Sequence, residues 1–252
     1  MPRFFIHKED IHGETLRTQD NTHHILHVLR YEPGDVLTFC DGEGTDYLCR
    51  IEEISTEGRQ EWLEAAVLSR EPSATEPAVW MTLFQGIPKA DKMEWIIEKS
   101  VELGVSEIVP VAMARSVSRP DGAKLASKVQ RWNKISLSAA EQSGRGRIPQ
   151  VRMPVSSAEL AGELADYDLV IICYEDARLN SLRQILSKAV MQNGMPHRVA
   201  VIIGPEGGLE SDEVDLWQRS GGLIAGLGPR ILRTETAGTV AAALIFYELN
   251  QM

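Results

Sequence analysis

The feature that most limits the fold is a change of hydrophobic pattern on either side of Glu71-Pro72-Ser73-Ala74-Thr75-Glu76-Pro77, where two prolines sit among small polar residues without periodicity. That composition reads as a linker. Before it, short β-like runs occupy Arg3 to Ile6, Val36 to Cys40, Tyr47 to Ile54 and Glu61 to Leu68, punctuated by turn signals such as Pro33-Gly34-Asp35 and Asp41-Gly42-Glu43-Gly44. One helix, Asn21 to Leu29, interrupts them, with Asn21 or Thr22 as its cap. Residues 1–72 are thus expected to form a small β-barrel, 73–77 a linker, and 78–252 a second domain.

Beyond the linker, apolar strands alternate with amphipathic helices. Strands are expected at Val79 to Phe84, Ile108 to Ala112, Leu169 to Tyr174, Val199 to Ile203 and Leu223 to Leu227. Helices fit Asp91 to Leu103, Lys124 to Gln142, Leu179 to Gln192, Ser211 to Ser220 and Thr236 to Leu249. Repeated β-then-α units predict an α/β domain with a mainly parallel sheet covered by helices.

With 43% apolar and 25% charged residues in 252, a disordered or disulfide-stapled chain is excluded. No run of about 18 apolar residues and no signal-peptide pattern occurs, so membrane insertion and export are not expected. Cys40, Cys49 and Cys173, an odd number without C-x-x-C spacing, fit a reducing cytoplasm and buried roles. His23 and His27 are four apart on the expected helix, but no third ligand stands in a recognisable spacing, so no metal is expected. Trp95 and Trp132 lie in amphipathic helices and read as core or dimer-interface packing.

A net charge of −10 argues against general nucleic-acid affinity, yet Arg115 to Arg152 holds nine basic residues against two acidic ones. The plain reading is a solvated helix face. In Ser143-Gly144-Arg145-Gly146-Arg147-Ile148-Pro149, two glycines free the backbone, which predicts a flexible basic loop able to contact phosphate.

In open α/β sheets, ligands bind beyond the carboxyl ends of strands. The loop Gln85-Gly86-Ile87-Pro88-Lys89 has one glycine and is neither a G-x-G-x-x-G nor a P-loop, which disfavours a Rossmann-type methyltransferase. The glycines instead follow the last strands, in Gly204-Pro205-Glu206-Gly207-Gly208 and in Gly226-Leu227-Gly228-Pro229-Arg230-Ile231-Leu232-Arg233-Thr234-Glu235-Thr236. Two such loops can wrap a flat ligand with main-chain groups, as for a nucleoside.

These loops, with Arg3-Phe4-Phe5, His23 to Arg30, Lys92-Met93-Glu94-Trp95 to Gly104, Glu141-Gln142-Ser143-Gly144-Arg145 and Leu232-Arg233-Thr234-Glu235-Thr236-Ala237, resemble the bacterial 16S ribosomal RNA uridine N3-methyltransferase family (RsmE type) of the SPOUT superfamily. The resemblance spans nearly the whole chain. It implies a PUA-like, RNA-binding barrel, a C-terminal SPOUT α/β domain with a deep trefoil knot, a homodimer, and S-adenosyl-L-methionine as cofactor. By motif correspondence Gly204, Pro205, Glu206, Gly207, Leu227, Gly228, Ile231, Leu232, Thr236 and Ala237 would bind it. Arg3, Arg30, Lys92, Arg145 and Arg147 would contact 16S ribosomal RNA or the small ribosomal subunit.

Uracil N3 carries a proton on the Watson–Crick edge, so methylation needs an unpaired base and loss of that proton. A guanidinium aimed at the flanking oxygens stabilises the charge that builds up. Arg233 is the first candidate and Arg3 the second, the alternative for Arg233 being an ion pair with Glu235. The proton's acceptor stays open among Glu206, Glu141 and solvent. Competing readings are a SPOUT enzyme acting on tRNA or another ribosomal position, and a non-catalytic ribosome-assembly factor. The first 72 residues hold seven basic and fifteen acidic residues, an imbalance at odds with RNA binding unless a small patch (Arg3, Arg17, Arg30) suffices.

Overall fold

The computed structural model describes residues 3–57, 60–117, 122–175 and 181–252. Packing divides the chain into two units, Met1–Glu76 with Ala140–Ile148 and Pro77–Ala139 with Pro149–Met252. The boundary falls between Glu76 and Pro77. The stretch Ala140–Ile148, expected in the second domain, belongs to the first. Arg119 and Asp121 of the basic segment lie outside the described residues.

In the first unit, strands β1 (Arg3–Phe5), β2 (Ile11–His12), β3 (Thr15–Thr18), β4 (Val36–Cys40), β5 (Thr45–Glu57) and β6 (Gln60–Pro72) form one sheet in the order β1-β4-β5-β6-β3-β2. Only β1 and β4 pair in parallel. Alternation places Leu16, Leu37, Phe39, Ile51 and Leu63 in one fully buried apolar cluster, the pattern of a sheet with one wet face. The strands β2 and β3 were not foreseen, because two to four residues are too few to register a period. The helical stretch is shorter than expected, His24–Val28. Asn21 and Arg30 flank it with left-handed φ of 59° and 61°, and Asn21 spends its side-chain amide on Phe5 O (3.0 Å).

Two expectations about this unit are corrected. The segment 73–77 is not a loose linker, since Ser73 is buried and the Glu76 carboxylate accepts from Arg145 Nε (2.9 Å) and Nη2 (2.7 Å) and from Gly146 N (2.9 Å). Nor is 143–149 a flexible basic loop. Arg145 is only 3% exposed, Gly44 N donates to Gly146 O (3.1 Å), and Ile148 N donates to Gly42 O (3.0 Å). A Cβ on Gly146 would lie 2.2 Å from Ser73 Oγ, so this glycine serves close approach rather than mobility. Arg3 completes the clamp, with Asp46 at 2.8 Å, Thr75 Oγ1 at 2.7 Å and Gly144 O at 2.6 Å.

The second unit carries β7 (Trp80–Gly86), α1 (Lys92–Glu102), β8 (Glu107–Ala112), α2 (Gly122–Ser143, whose end joins the first unit), β9 (Gln150–Val151), β10 (Val155–Ser156), α3 (Ser157–Glu163), β11 (Leu169–Cys173), α4 (Leu182–Asn193), β12 (Arg198–Ile203), α5 (Ser211–Arg219), β13 (Leu223–Ala225) and α6 (Thr234–Glu248). Its sheet is wholly parallel, in the order β10-β8-β7-β12-β11-β13 with β9 also on β8. Near-continuous apolar strands such as Val199-Ala200-Val201-Ile202-Ile203 are what such a sheet requires. The register aligns Pro110, Gln85, Ile203, Cys173 and Ala225 in one row at the carboxyl edge.

Here α6 begins at Thr234 rather than Thr236, because Arg233 takes the extended N-cap backbone. The expected start of α4 at Leu179 lies outside the described residues. Ser156 and Glu159 close a capping box on α3, the Ser-x-x-Glu signature of a helix start. Trp132 is buried and Trp95 exposed.

Replacing Arg145 by Ala strands a buried carboxylate, and is expected to destabilise the protein by about 3–5 kcal/mol in urea unfolding. Burial raises the Glu76 carboxyl, but the Arg145 guanidinium and two backbone N–H groups outweigh this and hold it below its ordinary value. Its contribution is therefore present above the unfolded value, about pH 4.3, and is lost as pH falls through the lower folded one. Glu76→Gln should flatten the acid limb of the stability profile.

Candidate active site

The ends of β11, β12 and β13 open into a cleft of about 410 Å³, within the range of small-ligand sites. Two glycine loops form its walls. Loop 1, after β12, supplies Gly204, Pro205, Glu206 and Gly208; loop 2, after β13, supplies Gly226 to Arg233. Gly208 and Gly228 take φ of 74° and 116°, which side chains other than glycine rarely adopt. Gly86 at the end of β7 is required for another reason, as a Cβ there would come within 2.6 Å of Pro205 Cδ and N.

Of the ten residues expected around a cofactor, Gly204, Pro205, Glu206, Leu227, Gly228, Ile231, Leu232 and Ala237 line the cleft. Gly207 and Thr236 do not. Gly207 faces Arg115, whose Nη1 donates to Gly207 O (2.9 Å) while its Nε pairs with Glu210 (2.8 Å). Thr236 contributes its backbone, donating to Arg233 O (2.9 Å). Ile231 is 79% exposed and so leaves an apolar lip open at the cleft.

Lys92, at the start of α1, lines the cleft between two carboxylates, Glu206 at 3.1 Å and Glu235 at 3.2 Å. This resolves the alternative for Arg233, since Glu235 is paired with Lys92. Arg233 also lines the cleft, and its guanidinium has no hydrogen-bond or ion-pair partner among the described residues. Glu206 further accepts from Lys89 N (3.1 Å). Burial raises its carboxyl, but the backbone N–H groups of Glu206 and Lys89 and the Lys92 ammonium outweigh that and hold it below its ordinary value. A carboxyl so held is a poor proton acceptor. It braces loop 1 instead.

The remaining candidates lie in the first unit. Arg3 and Arg145 are committed to the clamp described above, and Arg147 is half-buried beside Gly44. Arg30 and Glu141 are exposed. Sequence reasoning did not assign to the site Cys173, Tyr174 and Glu175, which line the cleft at and just past the end of β11, or the buried pair Gln85 and Thr234. The strand-end rule already pointed to the β11 loop, but without a glycine it drew no notice. Burial pushes the Cys173 thiol up to about 12, which leaves it protonated at neutral pH. Among the described residues no group of three or more His, Cys, Asp or Glu could hold a metal ion; His27 instead meets Glu61 at 2.9 Å. No described helix is long and apolar enough to cross a membrane.

A family model described as an RNA methyltransferase domain matches residues 75–246, and one described as an RNA methyltransferase PUA domain matches residues 18–58. The ribosomal RNA small subunit methyltransferase E of Bacillus subtilis (strain 168) is 34% identical over 231 residues, 92% of this chain and 89% of that protein. The chain belongs to the ribosomal RNA small subunit methyltransferase E family. The member from Mycobacterium tuberculosis is 32% identical over 232 residues, 90% of this chain and 83% of that one. A crystal structure of the methyltransferase E of Neisseria gonorrhoeae bound to S-adenosyl methionine is 31% identical, covers 98% of this chain and 97% of its own, and superposes with a TM-score of 0.76. The chain is thus an RNA methyltransferase of mixed α/β fold with a PUA domain.

Gly86→Ala is expected to displace loop 1 and cost about 1–3 kcal/mol by overpacking, read from urea unfolding. Gly162→Ala on α3, where a Cβ meets nothing within 4 Å, serves as the control and should stabilise by about 0.5–1 kcal/mol.

Proposed function

We propose that this protein transfers a methyl group from S-adenosyl-L-methionine to N3 of a uridine in 16S ribosomal RNA. The observation that carries the reading is the cleft built by two glycine loops, with Arg233, unpartnered among the described residues, on its wall. Its fit to the cofactor rests on size and on donor chemistry. Main-chain groups opened by Gly204, Gly226 and Gly228 suit an adenine edge, apolar Leu227, Ile231 and Leu232 suit its faces, and no cationic phosphate cradle is present in loop 1.

When bound, the cofactor supplies an electrophilic methyl group on a sulfonium. The chain's own residues do the rest. Arg233 holds the uracil oxygens flanking N3 and stabilises the negative charge left when the proton departs. Lys92 joins Glu206 of loop 1 to Glu235 of α6 and so keeps both walls in register. Glu206, held as an anion by that pairing, anchors the loop, and the N3 proton passes to solvent.

RNA contact in this reading falls to residues that are still free. Arg115, Arg131, Arg145 and Arg152 of the basic segment are paired with Glu210, Glu94, Glu76 and Glu163. Lys124, Lys128 and Lys134 remain exposed on α2, and Arg30 follows the exposed Val28 and Leu29 in the PUA unit. The same reading includes a homodimer, supported by exposed Leu244 and Tyr247 on α6 and by exposed Trp95 on α1. A trefoil knot at the chain end and a cytoplasmic location complete it.

Incubating the protein with labelled cofactor and small ribosomal subunits from cells lacking the gene should yield 3-methyluridine in 16S RNA by mass spectrometry. Label in another nucleoside or in tRNA would move the substrate. Arg233→Ala should lower the transfer rate at least tenfold while leaving cofactor affinity near normal; an unchanged rate removes Arg233 from the reaction. Arg30→Glu should weaken RNA binding and reduce its salt slope by about 0.7–0.9.

A further inference from the structure

We propose that Gln85 and Thr234 are positioning residues for methyl transfer, because a buried hydrogen-bond chain through their side chains fixes the backbone from which Arg233 projects. The inference rests on the activity proposed above and goes beyond it by naming what aims the guanidinium.

Gln85 follows the apolar pair Leu83-Phe84 near the end of β7 and is fully buried. Its Nε2 donates to Gly86 O (3.0 Å) and to Thr234 Oγ1 (2.8 Å). The Thr234 hydroxyl in turn donates to Gly204 O (2.6 Å). One chain of bonds therefore joins the end of β7, the first residue of loop 1 and the first residue of α6, points 30 to 149 residues apart in sequence. Arg233 immediately precedes the pinned Thr234. Its own carbonyl accepts from Thr236 N (2.9 Å) and Ala237 N (2.8 Å), so its backbone is held from the helix as well.

Packing alone does not account for an amide at position 85. Gln85 Oε1 is buried without a hydrogen-bond partner among the described residues. An orphan acceptor is unfavourable, and an apolar side chain of similar size would fill the space without one. What the amide supplies is direction, through the two bonds it donates. The Thr234 hydroxyl accepts from Gln85 Nε2 and spends its one proton on Gly204 O.

The test compares Gln85→Leu, Thr234→Val and Thr234→Ser with the wild type. The two variants that break the chain should lose at least tenfold in kcat at saturating cofactor, with KM for RNA within about threefold. Thr234→Ser, which keeps the hydroxyl, should recover most of kcat. A second reading needs no RNA. In cofactor-free protein well below the melting temperature, Gln85→Leu should raise tryptic cutting after Arg233, relative to cutting after Arg230, at least fivefold. Unfolding at lower temperature with both kcat and the cutting ratio at wild-type values would make the chain merely structural and overturn the inference. If Thr234→Val does not fold, Gln85→Leu decides by the same readings. A wild type that binds cofactor but methylates no RNA would sink the proposed activity, while the cutting ratio still judges the chain.

Discussion

Parallel pairing of β12 with β7 on one side and β11 on the other determines where everything else at the cleft can stand. Because the ladder sets Ile203 level with both Gln85 and Cys173, and Cys173 level with Ala225, β11, β12 and β13 end in one row and β7 ends one residue beyond it. Loops 1 and 2 leave that row from β12 and β13 with only β11 between them. The spacing between neighbouring strands, about 4.8 Å, then places the loops roughly 10 Å apart, close enough for one flat ligand to touch both. Neither loop has this property by itself. It comes from strand order.

Strand order is the part that the sequence does not declare. Alternating apolar runs and amphipathic helices disclose an α/β unit, and the glycine loops disclose where backbone approaches a ligand, but periodicity carries no information about which strand neighbours which. The structure supplies that step. Short elements escaped for a related reason: β9, β10 and α3 are built from two to seven residues, below the length at which a period can be counted. Gln85 was read as the first residue of a loop, but it lies within β7, and its partner is 149 residues away.

Charge was legible as a total and misleading as a map. Nine basic residues between Arg115 and Arg152 looked like a phosphate-contacting edge, yet four of the arginines are neutralised by glutamates brought to them by the fold. Glycines around Arg145 misled in the same direction. Absence of a side chain permits mobility, but it equally permits a backbone to press within van der Waals distance of another, and Gly146 against Ser73 is the second case. Deciding between these uses takes the neighbouring atoms, which sequence does not list.

The Arg145–Glu76 clamp also bears on how the protein is made. Its partners are separated by 69 residues, and the later one emerges only after the first strands of the second unit have been synthesised. At about 5–20 residues per second, Glu76 waits roughly 3–14 s for its counter-charge. During that interval the nascent PUA unit has all six of its strands but not the segment that covers Gly42, Gly44 and Ser73. Completion of the first unit is thereby coupled to synthesis of the second, and a chain that stalls early cannot present a finished first unit.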